Sequence, residues 1–148
     1  MINKNISVSE LMTSDVIFVE SNDCVDKVAE IFKKNSIHHI PVIGKNGEVE
    51  GIVSSTDFNR IQHGMTLFKI KDAQEFNKAL YRSLLVKEIM TTKVVKLKVN
   101  DTAEIAIGIF KENLFHAMPV VDNENKLLGI LTTFDLLNYA FNEPTLIA

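Results

Sequence analysis

A hydroxyl followed three residues later by a carboxylate closes two apolar runs of this chain: Ser54 and Asp57 in GIVSSTDF, and Thr132 and Asp135 in GILTTFDL. Where a strand gives way to a helix, unpaired backbone N–H groups and the helix dipole favour an anion. A hydroxyl at the end of the strand adds a donor. A carboxylate one turn on can accept from both hydroxyls of a ribose. Phosphate and ribose together describe a nucleotide. The same residue types also cap helices, and capping alone would account for either pair taken singly.

The elements that must carry these pairs are themselves repeated. Glycines 51 and 129, aspartates 57 and 135, prolines 41 and 119 and methionines 12 and 90 are all separated by 78 residues. Laid over 86–136 without a gap, residues 8–58 give 17 identities in 51 positions, far above the roughly three expected from ordinary composition. The chain is an internal duplication. Each copy has a short helical turn (VSELM in the first), a strand (VIFV), a helix over 24–35, two strands (HIPVI and VEGIVS) joined by a polar hairpin, and a second helix from Asp57.

The long helix of each copy places apolar residues at i, i+3, i+4 and i+7: Val25, Val28, Ala29 and Phe32, then Ala103, Ala106, Ile107 and Phe110, which buries one face. Asp23 with Asp26, and Asp101 with Glu104, suggest a capping box at each helix start. The order β-α-β-β-α, twice, defines an α/β protein. Units of about fifty residues close a core poorly on their own, so the copies are expected to pack as a pseudo-twofold pair with two equivalent clefts.

Composition narrows the function. A net charge of −3 with scattered basic residues offers no field for a nucleic-acid backbone. The N-terminal stretch lacks a signal-peptide run, and no segment has the uncharged length to cross a bilayer, which together lead one to expect a cytoplasmic protein and no membrane partner. The single cysteine, Cys24, reads as a small buried or helix-start residue, and His38 with His39 lack the spaced ligands of a metal site. There is no Walker loop, nucleophile elbow or metalloprotease helix, so the expectation is no enzyme, no required cofactor and no catalytic residue.

The motifs LMTSDVIFV, HHIPVI and GIVSSTDF, followed by IMTTKVVKL, HAMPVV and GILTTFDL, resemble two tandem CBS domains, the arrangement called a CBS pair or Bateman module. The resemblance spans about 8–138, nearly the whole chain. It implies repeat 1 over 7–62, a linker with an added helix over 63–85, and repeat 2 over 86–142. It also implies a regulatory module that binds AMP, ADP, ATP or S-adenosylmethionine and catalyses nothing. In such modules the hydroxyl contacts phosphate and the acid contacts ribose, which assigns Ser54 and Thr132, and Asp57 and Asp135. Adenine lies against the first strand and the residues before the proline, which assigns Val16, Ile17, Ile40 and Pro41 to one pocket and Val94, Val95, Met118 and Pro119 to the other. His38 and His116, three residues before each proline, stand where a four-repeat relative puts a basic residue on phosphate; a histidine beside an apolar strand also serves as a hydrogen-bonded packing residue.

Three function classes follow: a nucleotide-responsive regulator, an interaction module with empty clefts, and, least supported, an enzyme acting on a nucleotide. A homodimer is expected, acting on a separate target protein that no residue names. Within the linker, Ala73, Phe76, Asn77, Leu80, Tyr81 and Leu84 share a helical face. That face can pack on its own core, or Phe68, Phe76, Leu80 and Leu84 can complete a dimer surface or cover a cleft. Lys93, Lys96 and Lys98 near the first strand of repeat 2 suggest that the second site is the more phosphate-tolerant.

Overall fold

In a computed structural model, residues 2–63, 70–113 and 115–142 are described, with the side chains of 62–63, 70–74 and 76 left out of the description. Phe68 and Phe76, two of the residues expected to complete a dimer surface or cover a cleft, therefore lie outside it. Among the described residues, two three-stranded sheets and six α-helices match two tandem repeats of mixed α/β structure.

The chain divides into two compact units, Ile17–Val94 and the combination of Met1–Val16 with Val95–Ala148. The packed unit and the sequence repeat are therefore different stretches of chain. The lead segment of each repeat belongs to the unit built on the other.

In the Ile17–Val94 unit, β1 (Val19–Glu20) runs parallel to β2 (His39–Ile43), which pairs antiparallel with β3 (Val49–Ser54). Helix α1 (Val25–Lys34) follows β1, α2 (Ser55–His63) follows β3, and α3 (Ile70–Ser83) and α4 (Val86–Ile89) complete the unit. The second unit repeats the design with β4 (Leu97–Lys98), α5 (Ala103–Asn113), β5 (Ala117–Val121), β6 (Leu127–Thr132) and α6 (Thr133–Asn142). Its registers are those of the first unit shifted by the repeat: His39 faces Ser54, and Ala117 faces Thr132. Both hairpins turn through a left-handed residue, Gly47 (φ 81°) and Asn125 (φ 64°).

Proline in a central strand removes a ladder donor, and the lead segments explain how each sheet tolerates it. Ile52, opposite Pro41, directs both its N–H and its C=O outward to Thr91 (3.1 and 2.9 Å). Pro41 is therefore never asked for a donor by β3. On the other side β1 pairs only from Val19 opposite Val42 onward, just past the proline, so VIFV forms far less strand than its composition suggests. Ile130, opposite Pro119, makes the same outward pair with Thr13 (3.0 and 2.9 Å).

Those edges require glycine beside them. A Cβ on Gly51 would stand 2.7 Å from both Met90 Sδ and the Thr91 carbonyl oxygen. One on Gly129 would press on Met12 Sδ and stand 2.9 Å from the Thr13 carbonyl. At the opposite edge, Val25 N–H donates to Leu84 O and Val86 N–H to Asp23 O, matched by Ala103 to Ile6 and Val8 to Asp101.

One core gathers Val19, Val25, Val28, Ile40, Val42, Val53, Phe58, Tyr81 and Val86; the other gathers Val8, Leu97, Ala106, Phe110, Met118, Val120 and Leu131. Tyr81 and Leu84 of the linker face pack on the first core, with Phe58 in ring contact with Phe32 and Tyr81 (centroids 5.8 and 5.1 Å).

The expected capping boxes at α1 and α5 do not form. Asp23 and Asp101 stand one residue too early: Cys24 is the N-cap of α1 and makes no side-chain cap bond. The carboxylates turn back instead, accepting from Glu20 N–H and Lys98 N–H, both at 2.8 Å. At α5, Thr102 Oγ1 accepts from Ile105 N–H (3.4 Å).

Candidate functional site

The capping boxes occur instead at the two strand-to-helix joints. Asp57 N–H donates to Ser54 Oγ (3.0 Å), and Ser54 N–H donates to Asp57 Oδ2 (3.1 Å). Asp135 N–H donates to Thr132 Oγ1 (3.1 Å), and Thr132 N–H donates to Asp135 Oδ2 (2.8 Å). Each box satisfies two otherwise orphaned donors at the start of α2 or α6. The capping role and the proposed binding role thus rest on the same atoms. In each box the hydroxyl oxygen accepts from the backbone, so its own proton remains to be donated, and the carboxylate keeps Oδ1 outside the box.

The first hydrogen bond beyond each box ties the joint to the strand before it. Ser55 N–H donates to His38 O (2.8 Å), and Thr133 N–H donates to His116 O (3.0 Å). The histidine backbones are thereby held at the helix starts, and both side chains are exposed. Ser54, Asp57, Thr132 and Asp135 are half-buried, which leaves them within reach of a ligand.

The apolar residues assigned to adenine divide by burial. Ile40 and Met118 are wholly enclosed in the two cores. Pro41 and Pro119 are also buried, whereas Ile17 (38%) and Val95 (37%) are exposed. Val16 and Val94 are half-buried, and each is the last residue before the chain passes into the other unit. Lys98 Nζ donates to Asp122 O (3.1 Å) at the hairpin end of its sheet, and Lys93 belongs to the Ile17–Val94 unit.

Two residues at the first joint escaped the sequence reading. Arg60 Nη1 lies 3.9 Å from Asp57 Oδ1, with the arginine side chain 77% exposed and the aspartate 19%. Thr91 Oγ1 donates to Asp57 Oδ2 at 3.4 Å. The three-residue step from Asp57 to Arg60 was visible in the sequence as a helical neighbour. Thr91 was not, because nothing local says that the lead segment of repeat 2 returns to repeat 1. Among the described residues no three His, Cys, Asp or Glu side chains converge as a metal-holding group, and no helix is long and apolar enough to cross a membrane.

Two β-α-β-β-α repeats, each ending a strand in a hydroxyl–carboxylate box, define a class, and comparison with known proteins gives its name. The CBS domain family model matches residues 8–64 and 86–142. The chain belongs to the CBS-domain family, as a tandem pair of the Bateman type. It is 31% identical over 149 residues to the uncharacterized protein MJ1426 of Methanocaldococcus jannaschii, covering 88% of each. Among solved structures it is similar to MJ1225 of the same organism (TM-score 0.77, 29% identity, 94% of this chain and 49% of that one). It is also similar to CBSX2 of Arabidopsis thaliana in complex with AMP (TM-score 0.74, 25% identity, 92% and 96%). The chain spans about half of MJ1225 and under a quarter of several enzymes it matches, such as a homoserine O-acetyltransferase of Methanocorpusculum labreanum (29% identity, 86% of this chain and 23% of that one).

Proposed function

We propose that this chain is a regulatory module that binds adenosine nucleotides, AMP, ADP or ATP, at its two hydroxyl–carboxylate boxes and signals by rearrangement without catalysing a reaction. The observation that carries this reading is the equality of the boxes. Ser54 with Asp57 and Thr132 with Asp135 present the same donors and acceptors at the same joint, each with a spare hydroxyl proton for phosphate and a carboxylate for the ribose diol. The AMP complex of CBSX2, alike in fold along nearly its whole length, supports the choice of ligand. The exposed imidazoles of His38 and His116 stand ready to meet phosphate, and Ile17 and Val95 offer apolar surface to adenine. S-adenosylmethionine is the alternative ligand.

The module acts as a homodimer on a separate target. Helix α6 supports the dimer, because it exposes Phe134, Leu137 and Phe141 at 65, 54 and 83%, a stripe that a second copy would bury. Phe141→Asp is expected to shift the protein to monomer in light scattering; an unchanged dimer would remove this surface from the interface.

A thermal-shift scan against AMP, ADP, ATP and S-adenosylmethionine tests the ligand. A ligand-specific rise in Tm, lost in the Asp57→Ala and Asp135→Ala double variant, is the expected outcome. No shift from any of the four, in a folded protein, would favour an interaction module with empty sites.

A further inference from the structure

The two boxes share their hydrogen bonds but differ in charge. Asp57 has Arg60 beside it; position 138, the equivalent place on α6, is asparagine. Asp135 appears in no ion pair among the described residues. Counting the box acid and its ion-pair partner alone, the first corner sums to zero and the second to one negative charge. We infer that the residue at 60 and 138 sets which ligands each corner takes: the Ser54–Asp57 corner is fitted to phosphate-bearing adenosine compounds, and the Thr132–Asp135 corner to adenosine compounds with an uncharged or cationic tail. This deepens the nucleotide-binding reading above and rests on it.

Geometry supports the assignment to Arg60. Asp57 and Arg60 stand three residues apart on α2 and are neighbours on its surface, and Ser54, the last residue of β3, caps the helix just before them. Helical side chains lean toward the N-terminus, which carries the guanidinium back over Asp57 toward the joint. At 3.9 Å from Oδ1 and 77% exposed, it is held loosely. A ribose that takes the carboxylate releases the guanidinium, which can then grip phosphate oxygens in a fork. At the second corner the carboxylate that would hold the ribose repels the phosphate attached to it, and among the described residues no ion pair offsets its charge. Asn138 Oδ1 accepts from Asn142 Nδ2 (3.5 Å) and brings no charge.

The other groups cancel or stand apart. Each corner has a box hydroxyl, a helix start and an exposed histidine, His38 or His116. Lys98 is tied to Asp122 O, and its strand position faces Val121, whereas Thr132 faces Ala117 four residues along β5, roughly 13 Å away at strand rise. Lys126 pairs with Glu124 at the same hairpin end (3.4 Å). Lys96 precedes β4, on the edge of the sheet away from β6.

The test isolates one corner at a time by calorimetric titration with AMP and adenosine. In an Asp135→Ala background only the first corner remains. There Arg60→Asn is expected to weaken AMP roughly tenfold, about 1.4 kcal/mol, and to leave adenosine unchanged, with the AMP effect shrinking as salt rises. In an Asp57→Ala background, Asn138→Arg is expected to strengthen AMP by a similar factor and again to spare adenosine. AMP and adenosine moving together, or AMP unmoved in both backgrounds, would overturn the inference. A natively melting Asp135→Ala protein that binds neither compound, while Asp57→Ala binds AMP, would overturn it too. Binding of neither compound by the unsubstituted protein would instead bring down the nucleotide reading itself.

Discussion

The Ile17–Val94 unit and its counterpart agree inward and differ outward. Their ladders keep the same register, their prolines are excused by the same outward pairs, and their joints close the same boxes. On the outside, α2 shows Thr56, Asn59 and Arg60 where α6 shows Phe134, Leu137 and Asn138. Packing explains the contrast: a core position is fixed by every neighbour it touches, whereas a surface position is free to take on a partner or a charge. The shared interior says what both halves are. The differing exteriors are where their roles separate.

The largest expected difference comes from α3, which lends Tyr81 to the first core alone; the position equivalent to Tyr81 in the other unit's lead segment is Asn3. Tyr81→Ala is expected to cost about 3–5 kcal/mol in urea denaturation, by analogy with other buried aromatic truncations. Hydrogen exchange should place the loss in the Ile17–Val94 unit, and equal loosening of both units would break the comparison. Gly51→Ala and Gly129→Ala sharpen the likeness instead. Each forces a methyl onto a lead segment, at about 1–3 kcal/mol for overpacking, and the two costs should match. One glycine tolerating alanine would mean that its lead segment yields where the other does not.

The smallest effect lies at the hairpins, where Asp122 stands in the place of Gly44. The hydrogen bond from Lys126 N–H holds the Asp122 carboxyl below its usual range, against the opposing effect of desolvation, with Glu124 N–H adding to the lowering. A carboxyl lowered in the folded state stabilises it above the ordinary pKa, and that contribution is lost as pH falls through the folded value. Acidification should therefore loosen the amides of Glu124 and Lys126 in an NMR titration while leaving the Gly44 turn unchanged. Equal loosening of both turns would trace the change to something the hairpins share.

Much of this architecture was legible from residue spacing. HIPVI and VEGIVS form strands over the stretches read as strands from the sequence, and the hydroxyl-to-acid step located both boxes. Other features were closed to a local reading. VIFV has strand composition, but Pro41 lacks the N–H that would extend pairing beside it, so only Val19 and Glu20 join. Asp23 has the chemistry of a cap and misses the role by one residue. The exchange of lead segments is the deepest omission. Met12 and Met90 hold equivalent places in the two copies, each ahead of the equivalent glycine, and only the folded chain shows Met12 against Gly129 and Met90 against Gly51. The cation at Arg60 has no counterpart at Asn138, so the repeat carries no signal for it.

Calorimetric titration of the full chain with AMP, beside Asp57→Ala, Asp135→Ala and the double variant, tests the central claim most directly. The account predicts saturable binding in the unsubstituted protein, with Asp57→Ala losing the tighter share, Asp135→Ala losing at most a weaker one, and the double variant losing all of it while melting as a folded protein. Undiminished AMP binding by the folded double variant would contradict it, for the two boxes would then be helix caps and nothing more.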